Sequence, residues 1–99
     1  MKYITLLCSM GMSTSLLVNK MKDAAKQSGE EVTIKAMAKD SFASYDGQTD
    51  VILLGPQIRH MYDDLKNKYE AQNIKVAVID NMDYGMMNGK KVLEFALNL

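Results

Sequence analysis

One cysteine, one arginine and one histidine occur in 99 residues, and each scarcity excludes something. A single thiol, Cys8, allows no intramolecular disulfide, and an unpaired thiol suits a reducing compartment. No signal peptide and no membrane-spanning apolar run is visible, so a cytoplasmic protein is expected. Acidic and basic residues balance at 12 each and are interspersed. A general nucleic-acid binder needs a basic face, so no nucleic-acid partner is expected. With one proline and six glycines there is no linker rich in either, and there is no repeat or low-complexity segment. Residues 1–99 are expected to form a single domain. A chain of this size buries roughly two-thirds of its unfolded surface and needs neither disulfide nor metal to fold.

What is present alternates between strand and helix signals. Residues 2–8 read as a buried strand: a short apolar run, rich in β-formers, that stops at a glycine-containing loop. Ser13, Thr14 or Ser15 can cap a helix expected from about Ser13 to Ser28, with Leu17, Met21, Ala24, Ala25 and Ser28 on its inner face and Gly29 as its stop. Glu31 to Met37 alternates apolar and polar residues, as an edge strand does. Residues 38–49 are polar and mixed, with an Asp46-Gly47 turn and a short helix around Ser41–Ser44. Asp50 to Leu54 is apolar on both faces, hence a central strand. Gly55-Pro56 ends it, and a helix is expected to run to about Tyr69 with Ile58, Met61, Tyr62, Leu65 and Tyr69 as its stripe. Ile74 to Ile79 is the fourth strand, and Asp80 to Gly85 reads as a polar loop. A last helix is expected over about Met87 to Leu97, turning Val92, Leu93, Ala96 and Leu97 inward.

Alternating strands and helices imply an α/β fold: parallel strands, right-handed crossovers, helices on both faces. With strand two at an edge and strands one and three central, the order is 2-1-3-4 in an open four-stranded sheet. Ligands of such sheets sit beyond the carboxyl ends of the strands, where the order reverses. Here that is between strands one and three, so the Cys8 loop and the Gly55-Pro56-Gln57 loop are expected to be neighbours.

The stretch Cys8-Ser9-Met10-Gly11-Met12-Ser13-Thr14-Ser15 occupies that place. A helix start offers backbone N–H groups and a positive dipole end, a setting that binds phosphate and favours thiolate. Gly11 lets the loop turn so that successive N–H groups point at one spot. The hydroxyls of Ser13, Thr14 and Ser15 either donate to phosphoryl oxygens or cap the helix. The loop lacks the lysine of a nucleotide-binding P-loop, so ATP is not an expected ligand. It also lacks an arginine. Low-molecular-weight tyrosine phosphatases have a cysteine, five intervening residues, an arginine, then serine or threonine; here Thr14 stands at the arginine place and Ser15 at the hydroxyl place. Without the planar guanidinium clamp, hydrolysis of a phosphocysteine is slow and the group can persist for relay.

Three blocks carry a resemblance: residues 8–18; Leu53-Leu54-Gly55-Pro56-Gln57-Ile58; and Ile79-Asp80 with Tyr84-Gly85. In them the chain resembles the enzyme IIB components of the phosphoenolpyruvate-dependent sugar phosphotransferase system, lactose/cellobiose family. The resemblance implies a phosphotransferase with a fold like that of the low-molecular-weight phosphatases. It implies that Cys8 accepts a phosphoryl group from a phosphohistidine of the IIA protein. The group then passes to a β-linked disaccharide of the cellobiose, chitobiose or lactose type, bound by the membrane component IIC. By position, Ser9, Met10, Gly11, Met12, Ser13, Thr14 and Ser15 form the phosphate cradle. No metal or other cofactor is implied, and the protein would visit the inner face of the membrane only through IIC. The alternative reading is a small cysteine-dependent phosphatase or arsenate reductase, against which stand the absent loop arginine and the absent second cysteine. A magnesium-dependent receiver module would end strand one in an aspartate rather than Cys8.

Other residues have two readings each. Arg59 either replaces the missing clamp or is a solvated residue of a helix's first turn, and His60 is taken as a surface helix residue. Nine methionines are many for this length. Met10, Met12, Met82, Met86 and Met87 fall at the expected active end, where Met surfaces adapt to more than one partner; Met86 or Met87 can instead pack the last helix. Met10, Met12, Pro56, Gln57, Ile58 and Tyr84 are the expected docking residues. Asp80 and Asp83 are candidates for a general acid, for caps of the last helix, or for repelling a premature phosphate.

Overall fold

The computed structural model describes residues 2–8, 12–42, 45 and 47–99, with Met12 and Ser13 described by backbone alone. Strands β1 (Lys2–Cys8), β2 (Val32–Ala38), β3 (Val51–Leu54) and β4 (Lys75–Val78) form one parallel sheet, in the order β2-β1-β3-β4. This is the expected order, with the reversal between β1 and β3. Helix α1 (Met12–Ser28) joins β1 to β2, α2 (Lys39–Phe42) lies between β2 and β3, and α3 (Tyr62–Tyr69) lies between β3 and β4. Two more helices, α4 (Asn81–Gly85) and α5 (Gly89–Leu97), follow β4.

Strand periodicity divides the core. On one face Ile4, Leu6, Ile34, Leu53 and Ile79 meet Leu17 and Met21 of α1 and Val92, Leu93 and Ala96 of α5. On the other, Leu7, Ile52, Leu54 and Val76 meet Phe42 and Ile58, with Met61, Tyr62, Leu65 and Tyr69 packed alongside. Every residue of β3 is buried, whereas Lys35 in edge strand β2 is exposed. The buried Thr5 hydroxyl is satisfied by donating to Thr49 Oγ1 at 2.9 Å, and Thr49 donates to the Val51 carbonyl at 3.1 Å.

Helix α1 stops where glycine allows it. Gly29 takes φ 72°, and the Glu30 N–H bonds back to the Ala25 carbonyl at 2.9 Å while the Gly29 N–H reaches Lys26 at 3.4 Å. This is a Schellman closure, in which a left-handed residue lets the chain turn and satisfy the last carbonyls. Ser28, expected on the inner face, is exposed instead: it is the last residue of α1, where the chain is already leaving the sheet. The face is completed by Thr14 and Val18.

Three other expectations are corrected. The segment after Gly55 is not one helix: Pro56–Met61 is 3₁₀, and Ile58 breaks regularity at φ −117°, ψ 25°, its side chain only 2% exposed in the second core. Asp80 to Gly85 is not a loop but a cap followed by α4, because the Asp80 carboxylate accepts from the Met82 and Asp83 N–H groups at 3.0 and 3.3 Å. The last helix starts at Gly89 rather than Met87, which lies in the left-handed region at φ 55°. The short helix of the β2–β3 crossover is Lys39–Phe42; Ser44, and Asp46 of the expected turn, lie outside the described residues.

Candidate functional site

Cys8 is the last residue of β1, a strand flanked by β2 and β3. It is 3% exposed. Its Sγ lies 3.9 Å from the Met37 carbonyl of β2, a long contact in which the thiol is the donor. On the other side, the Gly55 N–H donates to the Leu7 carbonyl at 2.9 Å, and the Ile79 N–H to the Leu54 carbonyl at 2.9 Å. The strand ends therefore step side by side along one rim: Cys8, then Gly55, then Asp80. Cys8 and Gly55 thus end neighbouring strands at the reversal of strand order. Helix α1 begins four positions after Cys8, its dipole start on the same rim.

Of the expected cradle, Ser9, Met10 and Gly11 lie outside the described residues, and Met12 and Ser13 enter as the first backbone units of α1. Thr14 is fully buried, and its hydroxyl shares a hydrogen bond with the Tyr84 hydroxyl at 3.2 Å. The Thr14 side chain is thus held in the core, at the inner face of the first turn of α1. Ser15 is exposed, beside Asn19 and Lys22 on the flank of α1 that faces β2.

Two of the expected docking residues are buried. Ile58 is 2% exposed and Tyr84 8%, because each fills one of the two cores. Gln57 is exposed and Pro56 half-buried. The methionines divide: Met82 and Met86 are 69% and 71% exposed, while Met87 packs against the α1–α5 core. Met10 lies outside the described residues, and Met12 contributes only its backbone.

Asp80 is committed to capping α4. Asp83 borders a cavity of about 210 Å³ with Val78, Ile79, Asp80, Val92 and Phe95, on the β4 side of the sheet. Arg59 and His60 are exposed within the 3₁₀ segment. Among the described residues no three His, Cys, Asp or Glu side chains converge as a metal site would require, and no helix is long and apolar enough to cross a membrane.

The Thr14–Tyr84 bond escapes a reading of the sequence, since 70 positions separate its ends. The available signal is periodicity: Thr14 falls in step with Leu17, Val18, Met21 and Ala25 on the inner face of α1.

Comparison with known proteins agrees with this geometry. The family model described as "PTS system, Lactose/Cellobiose specific IIB subunit" matches residues 3–95. The oligo-beta-mannoside-specific EIIB component of Bacillus subtilis (strain 168) is 48% identical over 99 residues, covering 100% of this chain and 96% of that protein. The cellobiose-specific EIIB component of Lactococcus lactis subsp. lactis (strain IL1403) is 44% identical over 103 residues, covering 99% of this chain and 95% of that one. In structure, the lactose-specific IIB component domain from Streptococcus pneumoniae superposes with a TM-score of 0.87 at 24% identity, covering 98% of this chain and 95% of that one, a likeness of fold. The chain belongs to the lactose/cellobiose-specific IIB subunits of the sugar phosphotransferase system.

Proposed function

We propose that Cys8 is the nucleophile of a phosphocysteine relay, loaded by a IIA phosphohistidine and unloaded onto a sugar held by membrane IIC. The observation that carries this reading is the position of the chain's only thiol: the tip of a flanked strand, at the reversal of strand order, directly ahead of α1. The Cys8 thiolate attacks phosphorus in line. The S–P bond forms as the N–P bond of the donor histidine breaks, and the thiol proton leaves its Met37 contact and ends on the departing imidazole nitrogen. Backbone N–H groups from Ser9 through Ser15 carry the charge on the equatorial oxygens, so that positioning and electrostatics supply most of the rate. In the second step a sugar hydroxyl oxygen attacks phosphorus, the S–P bond breaks, and the hydroxyl proton passes to the departing Cys8 sulfur, which regenerates the thiol.

The absence of arginine from the loop supports relay over hydrolysis. Residues 1–99 would then act as one IIB domain in the cytoplasm, meeting the membrane through IIC. Met82, Met86, Pro56 and Gln57 suit the shared docking rim, the two methionines being strongly exposed. The sugar is a β-linked disaccharide; similarity to oligo-beta-mannoside- and cellobiose-specific relatives supports that class. The test is incubation with phosphoenolpyruvate, the upstream carriers and IIA, followed by mass mapping. Phosphate is expected on Cys8 alone, lost in Cys8→Ser and discharged when IIC and sugar are added. Label retained by Cys8→Ser ends the proposal.

A further inference from the structure

We infer that Tyr84 is a positioning residue for phosphoryl transfer, acting through Thr14 on the first turn of α1. The inference rests on the relay reading above. Tyr84 stands on α4, which the Asp80 cap fixes to the tip of β4. From there its ring reaches across the end of β3: Cε2 lies 3.6 Å from the point a Cβ on Gly55 would occupy. Gly55 is itself bonded to Leu7, the neighbour of Cys8. The Tyr84 hydroxyl meets Thr14 Oγ1 at 3.2 Å. One side chain thus spans from the first turn of α1 to the residue that follows β3.

The chemistry of the pair points to geometry rather than bulk stability. Both residues are buried, Tyr84 at 8% exposure and Thr14 at 0%. An apolar pair of the same shape, Phe with Val, would fill that space nearly as well, because a buried hydroxyl pair gains little net over its isosteres. What the apolar pair lacks is direction. A hydrogen bond fixes the distance and rotation of α1's third residue relative to α4, whereas dispersion contacts permit sliding. Helix-start N–H groups stabilise a transferring phosphoryl group only when aimed at the charge that develops, and small misplacements there are costly in rate. Tyr84 acts by holding the first turn of α1 in place.

The experiment follows steady-state and single-turnover transfer from phosphorylated IIA to the full chain. Tyr84→Phe and Thr14→Val are each expected to slow transfer at saturating IIA by about tenfold, with KM for IIA unchanged. In a Tyr84→Phe background, Thr14→Val should cost no further rate, because the bond between the two is already gone. Thr14→Ser, which keeps the hydroxyl, should recover the wild-type rate. Isosteric variants that fold as wild type yet lose rate fit positioning and not a structural role. Wild-type rates in both single variants, additive losses in the double, or a change confined to KM would overturn the inference. Failure of the wild-type chain to take phosphate on Cys8 is read separately, from the unmutated protein; it would remove the relay reading and this inference with it.

Discussion

Gly89, at the start of α5, sits against the backbone of α1. A Cβ added there would lie 2.5 Å from the Lys20 carbonyl carbon, 2.6 Å from Lys20 Cβ and 2.7 Å from the Met21 nitrogen. Carbon atoms in good contact are roughly 3.5–4.0 Å apart, so a methyl group forces the two helices apart by about 1 Å. Two effects then oppose each other in Gly89→Ala. Alanine is the better helix former, by up to about 1 kcal/mol in a helix interior and less in this first turn. Overpacking costs about 1–3 kcal/mol, and the upper part of that range applies because main-chain atoms of α1 cannot swing aside. Separation also loosens Leu93 and Ala96 from Leu17 and Met21. The net loss is about 2 kcal/mol, which for a domain of this size lowers Tm by roughly 8–16 °C. Thermal and urea unfolding of wild type, Gly89→Ala and Gly89→Val measure it, with the urea midpoint falling and m unchanged. A Gly89→Ala protein melting at or above the wild-type temperature would refute the close-approach argument and leave helix propensity as the governing term.

Asp80→Ala removes the cap of α4 and should cost about 1 kcal/mol, or roughly 4–8 °C in Tm; Asp80→Asn should recover most of it, and equal melting of all three would disprove the cap's contribution. Thr5→Val deletes a buried donor while Thr49 keeps its bond to Val51, so urea unfolding should show a loss of no more than about 1 kcal/mol. Arg59→Ala should leave both unfolding and phosphoryl acceptance unchanged; a large drop in acceptance would reinstate the arginine as a clamp. Met82→Gln combined with Met86→Gln should leave stability within about 0.5 kcal/mol while raising KM for IIA. A change in Tm with KM unaffected would assign the two side chains to packing.

Strand order, the reversal point and the candidate thiol were all legible in the sequence, for one physical reason. The strands differ in patterning, with β3 apolar throughout and β2 alternating, so central and edge positions could be told apart before any contact was known. What the sequence concealed came from interactions over distance. The Asp80–Gly85 segment is polar enough to pass as a loop, yet Asp80 nucleates a helix by accepting two N–H groups that composition alone does not reveal. Ile58 fits a helical stripe by spacing, but its place in the second core draws the backbone out of helical dihedrals. Tyr84 looks like a docking aromatic until the fold sets it against Thr14.

Edge strand β2 carries one further consequence. Its seven residues, Val32 to Ala38, include a single charge, Lys35. That ammonium stands exposed, donating to the Tyr45 hydroxyl at 3.3 Å and lying 5.5 Å from its ring centre. A lysine in mid-strand is what keeps an open sheet edge from templating another copy of itself, since pairing would strip water from the charge. Lys35→Val would turn the segment into an uninterrupted β-former with little else to deter it, and light scattering of concentrated solutions should then rise while the Tm of dilute protein stays put. On this argument one ammonium protects the long side edge of the sheet, while the rim at the strands' carboxyl ends stays open.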